Sequence, residues 1–403
     1  MRTRSRILIV TLLFGVSALT ALLLYAQGRG DLSPIRKVQD PFPVFTDVAV
    51  DPDSNIVAMS DENRFSLRTY KRDADSNFVA DPLSVITVPK SGVDFVCGVA
   101  IDSLNKEIYA ANNDTASDLI TFKYTDTGEV PPTRDLTTAP TGTWGVALDL
   151  TNNEVGVTIQ HENKVQIYRR GATGEEKPLR IIQGPKAGLS DPHGIYIDAE
   201  HNEIFVANHD SYHEVQAGEN PNVALADFAR GVEAPRVARE RQLEPRLSKG
   251  KFVEPSIKVF SRTANGDAVP VRVIQGPRTE LSLPMKIFLD SVHNEIFVAN
   301  SGSSSILIFS RTASGDVAPT RKIEGPATGL NKPVGLFLDL KNDELWATNP
   351  GEHSATVYRR TAQGNAAPLR TLRGAPRGTP APGIGNPGGI AYDPIRQQIL
   401  VPN

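Results

Sequence analysis

Two positions break a rule that the rest of this 403-residue chain keeps. A segment reading Gly-apolar-x-apolar-Asp recurs along it, but the Gly is replaced by Asp47 in one copy and by Lys286 in another. A carboxylate and an amine at equivalent places can shift each other's pKa and orient a polar ligand. The residue just before the Gly varies as well: Thr46, Cys97, Trp144, His193, Met285, Val334 and Gly388. Asp47, Trp144, His193 and Lys286 are therefore the candidate ligand-binding set. The competing reading is an Asp–Lys ion pair that only fills space. A second cluster, His209-Asp210-Ser-Tyr-His213-Glu214, follows one copy of the motif. With His193, the side chains of His209, Asp210 and His213 could hold a divalent metal such as zinc, which takes imidazole and carboxylate ligands. The alternative is an ordinary polar loop. No catalytic residue can be named.

These residues need elements to position them. Lys286 to Pro333 contains four short apolar runs bounded by Gly, Pro, Asn, Asp and Ser, the pattern of four strands joined by tight turns. Such a unit cannot bury both faces alone and should recur. The first-strand motif ends at Asp51, Asp102, Asp149, Asp198, Asp290, Asp339 and Asp393, and a second-strand motif such as Ile-Phe-Val-Ala-Asn follows each time. The fourth-strand motif, Pro-x-Arg-x-apolar, recurs around Arg134, Arg180, Arg272, Arg321 and Arg370. One spacing is nearly double but holds a single set of motifs, so residues 209–255 are an insertion in the fourth full repeat. Pro34–Asp40 resembles a fourth strand with no blade before it, and Gly389–Asn403 supplies first and second strands with nothing after. The expectation is an all-β fold, a β-propeller of four-stranded blades over residues 34–403. Seven blades follow if strands from both termini close the ring, and six if the N-terminal strand packs elsewhere.

On those motifs the chain resembles secreted bacterial NHL-type and YVTN-type β-propellers, a group that includes lactonase-like propellers. Ile296–Arg311 is similar to the YVTN pattern and Gly194–Asn208 to the NHL pattern. The resemblance implies the fold; it assigns no catalytic residue, because such propellers include binding domains, lyases and hydrolases.

In a propeller the first strand lines the central channel. The loops leading into it share one face, the top, with the loops between strands two and three. The repeated Asp and the recurrent Arg are then blade architecture, and Asn112, Asn208, Asn300 and Asn349 should make Asx-type bonds within their own turns. Function belongs where repeats differ, at the top of the channel, beside which the insertion leaves.

Composition narrows the classes. Arg2, Arg4 and Arg6 precede an apolar run from Ile7 to Ala26. Residues 1–26 read as a secretory signal peptide or an uncleaved N-terminal membrane anchor, with 27–33 as linker. The expected location is exported: periplasmic, extracellular or membrane-anchored facing outside. The single Cys97 excludes an intrachain disulfide. Net charge is −3, and loss of residues 1–26 makes the body more acidic, which argues against nucleic-acid binding. No G-x-S-x-G, H-E-x-x-H or Walker motif occurs. The favoured function is an exported binding or scaffold propeller that holds a protein, glycan or small ligand on its top face. The alternative is a lactonase- or lyase-type enzyme with a polar or metal site at the channel mouth.

Overall fold

The computed structural model describes residues 40–75, 79–113, 118–140, 142–209, 211–212, 251–379, 381, 391–393 and 398–400. Among the described residues every strand lies in the compact unit Pro41–Asn403; of the separate unit Met1–Asp40, only Asp40 is described. Six four-stranded antiparallel sheets succeed one another, each with its strands side by side in sequence order. Their first strands are Phe45–Asp51, Val96–Asp102, Thr143–Asp149, Pro192–Asp198, Pro284–Asp290 and Leu336–Asp339. These sheets are blades one to six. Two short two-stranded pairs complete the set: Ser211–Tyr212 with Lys251–Phe252, and Ala391–Asp393 with Gln398–Leu400.

Blades stack face to face, so inner strands are covered on both sides. That is why strands one and two read as near-continuous apolar runs and the fourth strands do not. Core clusters span neighbouring blades: Ala49, Ala58 and Leu67 of blade one pack with Val99, Ile108 and Phe122 of blade two. The same layer joins blade six to blade one, where Phe45, Met59 and Tyr70 meet Trp346, Val357 and Leu372.

That last contact decides the blade count. Thr348 Oγ1 of blade six donates to Thr46 O of blade one at 2.6 Å, and Ala80 N donates to Arg373 O at 2.8 Å. The expected seven-blade ring closed by terminal strands is therefore corrected to the six-blade alternative. Blades six and one are in direct contact, which leaves no slot for a blade between them. Residues 34–40, expected to supply the closing strand, lie outside the described residues apart from Asp40. Deleting residues 380–403 should change the unfolding free energy by less than about 1 kcal/mol, since the ring closes before them. Urea unfolding checks this; a loss of several kcal/mol would restore the seventh blade.

The repeated charges are architecture, as expected. Each Asp ending strand one caps its own turn, as Asp51 does by accepting from Asp53 N and Ser54 N. Four of them also reach a cation of the next blade: Lys106 to Asp51, Arg170 to Asp102, Arg360 to Asp290 and Arg72 to Asp339. Glu154, Glu203, Glu295 and Glu344 each hold an Arg of their own fourth strand and one of the following blade, as Arg370 and Arg72 flank Glu344. Burial alone would raise the Glu344 pKa, but Arg370 and Arg72 hold it below its ordinary value.

Candidate functional site

The candidate residues stand on a shared irregularity. In blades one to five the register of strand one against strand two slips near the strand's start: between Phe45 and Val48, Val96 and Gly98, Pro192 and Ile195, and Pro284 and Ile287 on strand one, and between their partners Val157 and Ile159 for blade three. Such bulges bend a strand and re-aim its side chains. Asp47, Cys97, Trp144, His193 and Lys286 all fall within them. The bulge needs Gly because neighbouring inner strands nearly touch. A Cβ on Gly98 would lie 2.2 Å from Trp144 O, one on Gly145 2.3 Å from His193 O, and one on Gly194 2.3 Å from Met285 O. Hydroxyls of strand two complete the joint. Gly335 N donates to Thr348 Oγ1, which reaches Thr46 O, and Asp47 N donates to Ser60 Oγ.

Where Gly is replaced, the side chain enters the channel. Lys286 Nζ of blade five reaches Asp47 Oδ2 of blade one at 2.6 Å, spanning blade six. Gly335 of blade six makes room: a Cβ there would sit 2.7 Å from Asp47 Oδ1. The carboxylate also accepts from Val99 N at 2.8 Å and Val48 N at 2.9 Å. Both side chains are buried, at 3% and 10% exposure. Burial pushes the Asp47 carboxyl above its ordinary range, and Lys286 offsets this only in part. Above the pair, Asp47, Cys97, Trp144, Met285, Lys286 and Val334 line a cavity of about 10 Å³, room for about one water. Below it the channel widens to about 160 Å³ of mainly apolar wall, where the rings of Tyr196, Phe288 and Phe337 pack in sequence with centroids 4.9 Å apart. Lys286 borders both spaces, so the ion pair is the throat between them.

Three of the four expected ligand-site residues, Asp47, Trp144 and Lys286, thus share one cavity. His193 does not line it. Its ring packs on that of half-buried Trp144, with centroids 4.2 Å apart, and the His209 ring stacks on it at 4.3 Å. Burial lowers the His193 pKa to about 4, so the ring is neutral at pH 7. Asp210 and His213, expected beside them as metal ligands, lie outside the described residues.

Asp191 was not singled out from the sequence. It sits in the loop entering blade four with φ 47°, and its carbonyl accepts from His193 Nδ1 at 2.8 Å and His209 N at 3.2 Å. Its carboxylate lies 3.6 Å from Nδ1 of both imidazoles. The signal available was position alone: Asp191 precedes His193 by two residues in the one top loop followed by a His-containing insertion. A different expectation holds in part. Asn300 Nδ2 does bond within its own turn, to Ser303 Oγ at 2.7 Å, but the strand-two Asn residues also clamp the loop leading into strand one. Ser282 N donates to Asn300 Oδ1 and Asn300 Nδ2 to Glu280 O, and Asn112 and Asn208 repeat the arrangement. The clamp shows that both loops share the top face. The insertion leaves from that face, and its two ends pair antiparallel, Ser211 with Phe252 and Tyr212 with Lys251.

No protein family and no curated protein matches the sequence. Solved structures do. A hydrazine synthase chain of Kuenenia stuttgartiensis superposes with TM-score 0.50 at 13% identity, covering 81% of this chain and 99% of that one. The likeness shows the fold alone: a β-propeller. A chain of a nidogen/laminin complex matches with TM-score 0.46 at 12% identity, over 82% of this chain and 93% of that one.

Proposed function

We propose that the protein is an exported β-propeller of the NHL and YVTN kind that works as a binding or scaffold module, with a protein partner held on the top face of the ring. The observation that carries this is the closed throat. Asp47 and Lys286 satisfy each other out of solvent, and the cavity above them holds about one water. That geometry suits a sealed hub better than a reaction chamber, and it leaves the top surface as the place of recognition. Half-buried Trp144 there is the residue type that anchors interfaces. The insertion is rooted on the same face by its paired ends. Export rests on the basic start and apolar run of residues 2–26.

Cross-linking mass spectrometry with the exported proteins of the source cells tests this. Cross-links to a partner are expected through Lys186 and Lys332, exposed on top loops, and not through Lys341 on the opposite turns. Replacing residues 213–250 by Ser-Gly-Ser should keep the ring folded and reduce capture at least about tenfold, the equivalent of 1.4 kcal/mol. Partner contacts at Lys341, or capture unchanged without the insertion, would defeat the reading. Turnover of a lactone panel, lost in His193→Ala, would establish the enzyme alternative instead.

A further inference from the structure

Blade four carries a donor set found nowhere else among the described residues. Asp191, His193 and His209 each offer one ligand atom, and these atoms lie within 4.8 Å of one another. We propose that Asp191, His193 and His209 form a three-ligand site for a divalent transition-metal ion of the zinc type, with a fourth position open to an exchangeable ligand. The donor chemistry selects the ion: two imidazoles and one carboxylate suit zinc and its neighbours and are poor for calcium or magnesium, which take oxygen.

The geometry supports the assignment in three ways. First, the orientation of His193 is fixed. A carbonyl oxygen can only accept, so Nδ1 of His193 donates its proton to Asp191 O, and the lone pair stays on Nε2. A ligating imidazole is oriented in this manner by its other nitrogen. Second, two aromatic contacts hold the rings in place, Trp144 on His193 and His193 on His209. Third, Asp191 is locked from both sides. Its N–H donates to Asn163 Oδ1 at 2.8 Å, and its carbonyl accepts from His209 N. Its positive φ, 47°, is shared by Leu283 and Lys332, the equivalent loop residues of blades five and six, so the blade itself sets this backbone. Ligands at 2.0–2.2 Å from a tetrahedral zinc are about 3.4 Å apart, so closure of roughly an ångström is required. His209, 17% exposed, has room to make it.

This set differs from the one the sequence suggested, because Asp191 enters it. It is also separate from the Asp47–Lys286 throat, so it does not depend on the binding reading above.

The test uses the full chain stripped of metal and titrated with Zn²⁺ alone by calorimetry, with Co²⁺ absorption as a second readout. One ion per chain is expected, with the visible bands of tetrahedral cobalt. Asp191→Asn and His209→Gln should each weaken Zn²⁺ binding by more than about 100-fold, the upper end of what loss of an outer-shell partner alone costs. His209→Gln alters a partly exposed side chain, so folding is retained and can be checked by circular dichroism. His201→Gln, a turn residue bound to Asp198 Oδ2, should leave affinity unchanged. Absence of Zn²⁺ binding at millimolar concentration overturns the proposal, as does unchanged affinity in His209→Gln.

Discussion

Lys286→Met should lower the unfolding free energy by about 3–5 kcal/mol, the cost of leaving a buried charge without its partner. Asp47 stays buried in this variant and keeps only the Val48 and Val99 amides. Urea denaturation at pH 7 measures the loss. A second substitution separates charge from shape. Asp47→Asn on top of Lys286→Met should recover at least half of the deficit, because the neutral amide can still accept from Val99 N. The pH dependence has a definite sign. Asp47 has a folded-state pKa raised by burial above the ordinary 3.8, and removing Lys286 removes the group that offsets it. A group raised in this way favours folding below its unfolded pKa and loses that contribution as pH climbs through its folded pKa. The deficit of Lys286→Met relative to the native protein should therefore shrink as pH falls from 7 toward 4. A deficit independent of pH, or below 1 kcal/mol, would mean that the throat is open to solvent.

Gly145→Ala should cost about 3 kcal/mol, at the upper end of overpacking penalties. The added Cβ would lie 2.3 Å from His193 O and 2.9 Å from Thr158 Oγ1. Neither neighbour can withdraw easily. His193 O is carried by the bulged inner strand of blade four, and Thr158 Oγ1 joins Gly145 N to that carbonyl. The substitution therefore pushes two blades apart at the channel wall. Thermal unfolding and urea midpoints check it. The same variant should shift the Trp144 fluorescence, because Trp144 is the adjacent residue on the bulge. A drop under 1 kcal/mol would show that inner strands can slide, contrary to the close approach seen at Gly98, Gly145 and Gly194.

Much of this architecture is legible along the chain because it is local. Asp51 and its counterparts cap turns two and three residues away, and the apolar runs with their bounding Gly, Asn and Asp fix strand lengths through steric and hydrogen-bond preferences that need no distant partner. The departures from Gly at Asp47 and Lys286 stood out for the same reason, as breaks in a repeat. The blade count was not local. It depends on how Tyr70 and Trp346 pack, and residues from opposite ends of the chain carry no mark of that contact. The role of the strand-two Asn was only half legible on the same ground, since Asn300 bonds Ser303 in its own turn but also Ser282 and Glu280, about one hairpin back.

The sequence by itself determined a ring of four-stranded blades and the few positions where chemistry could enter its channel, since repeat patterning and turn residues act over a handful of positions. Only the tertiary structure decided that six blades close it, that Lys286 and Asp47 meet across 239 residues, and that Asp191 joins the two imidazoles. Those outcomes follow from radial packing, in which the angle between stacked blades sets which bulges face one another, and that angle is a property of the assembled core rather than of any one repeat.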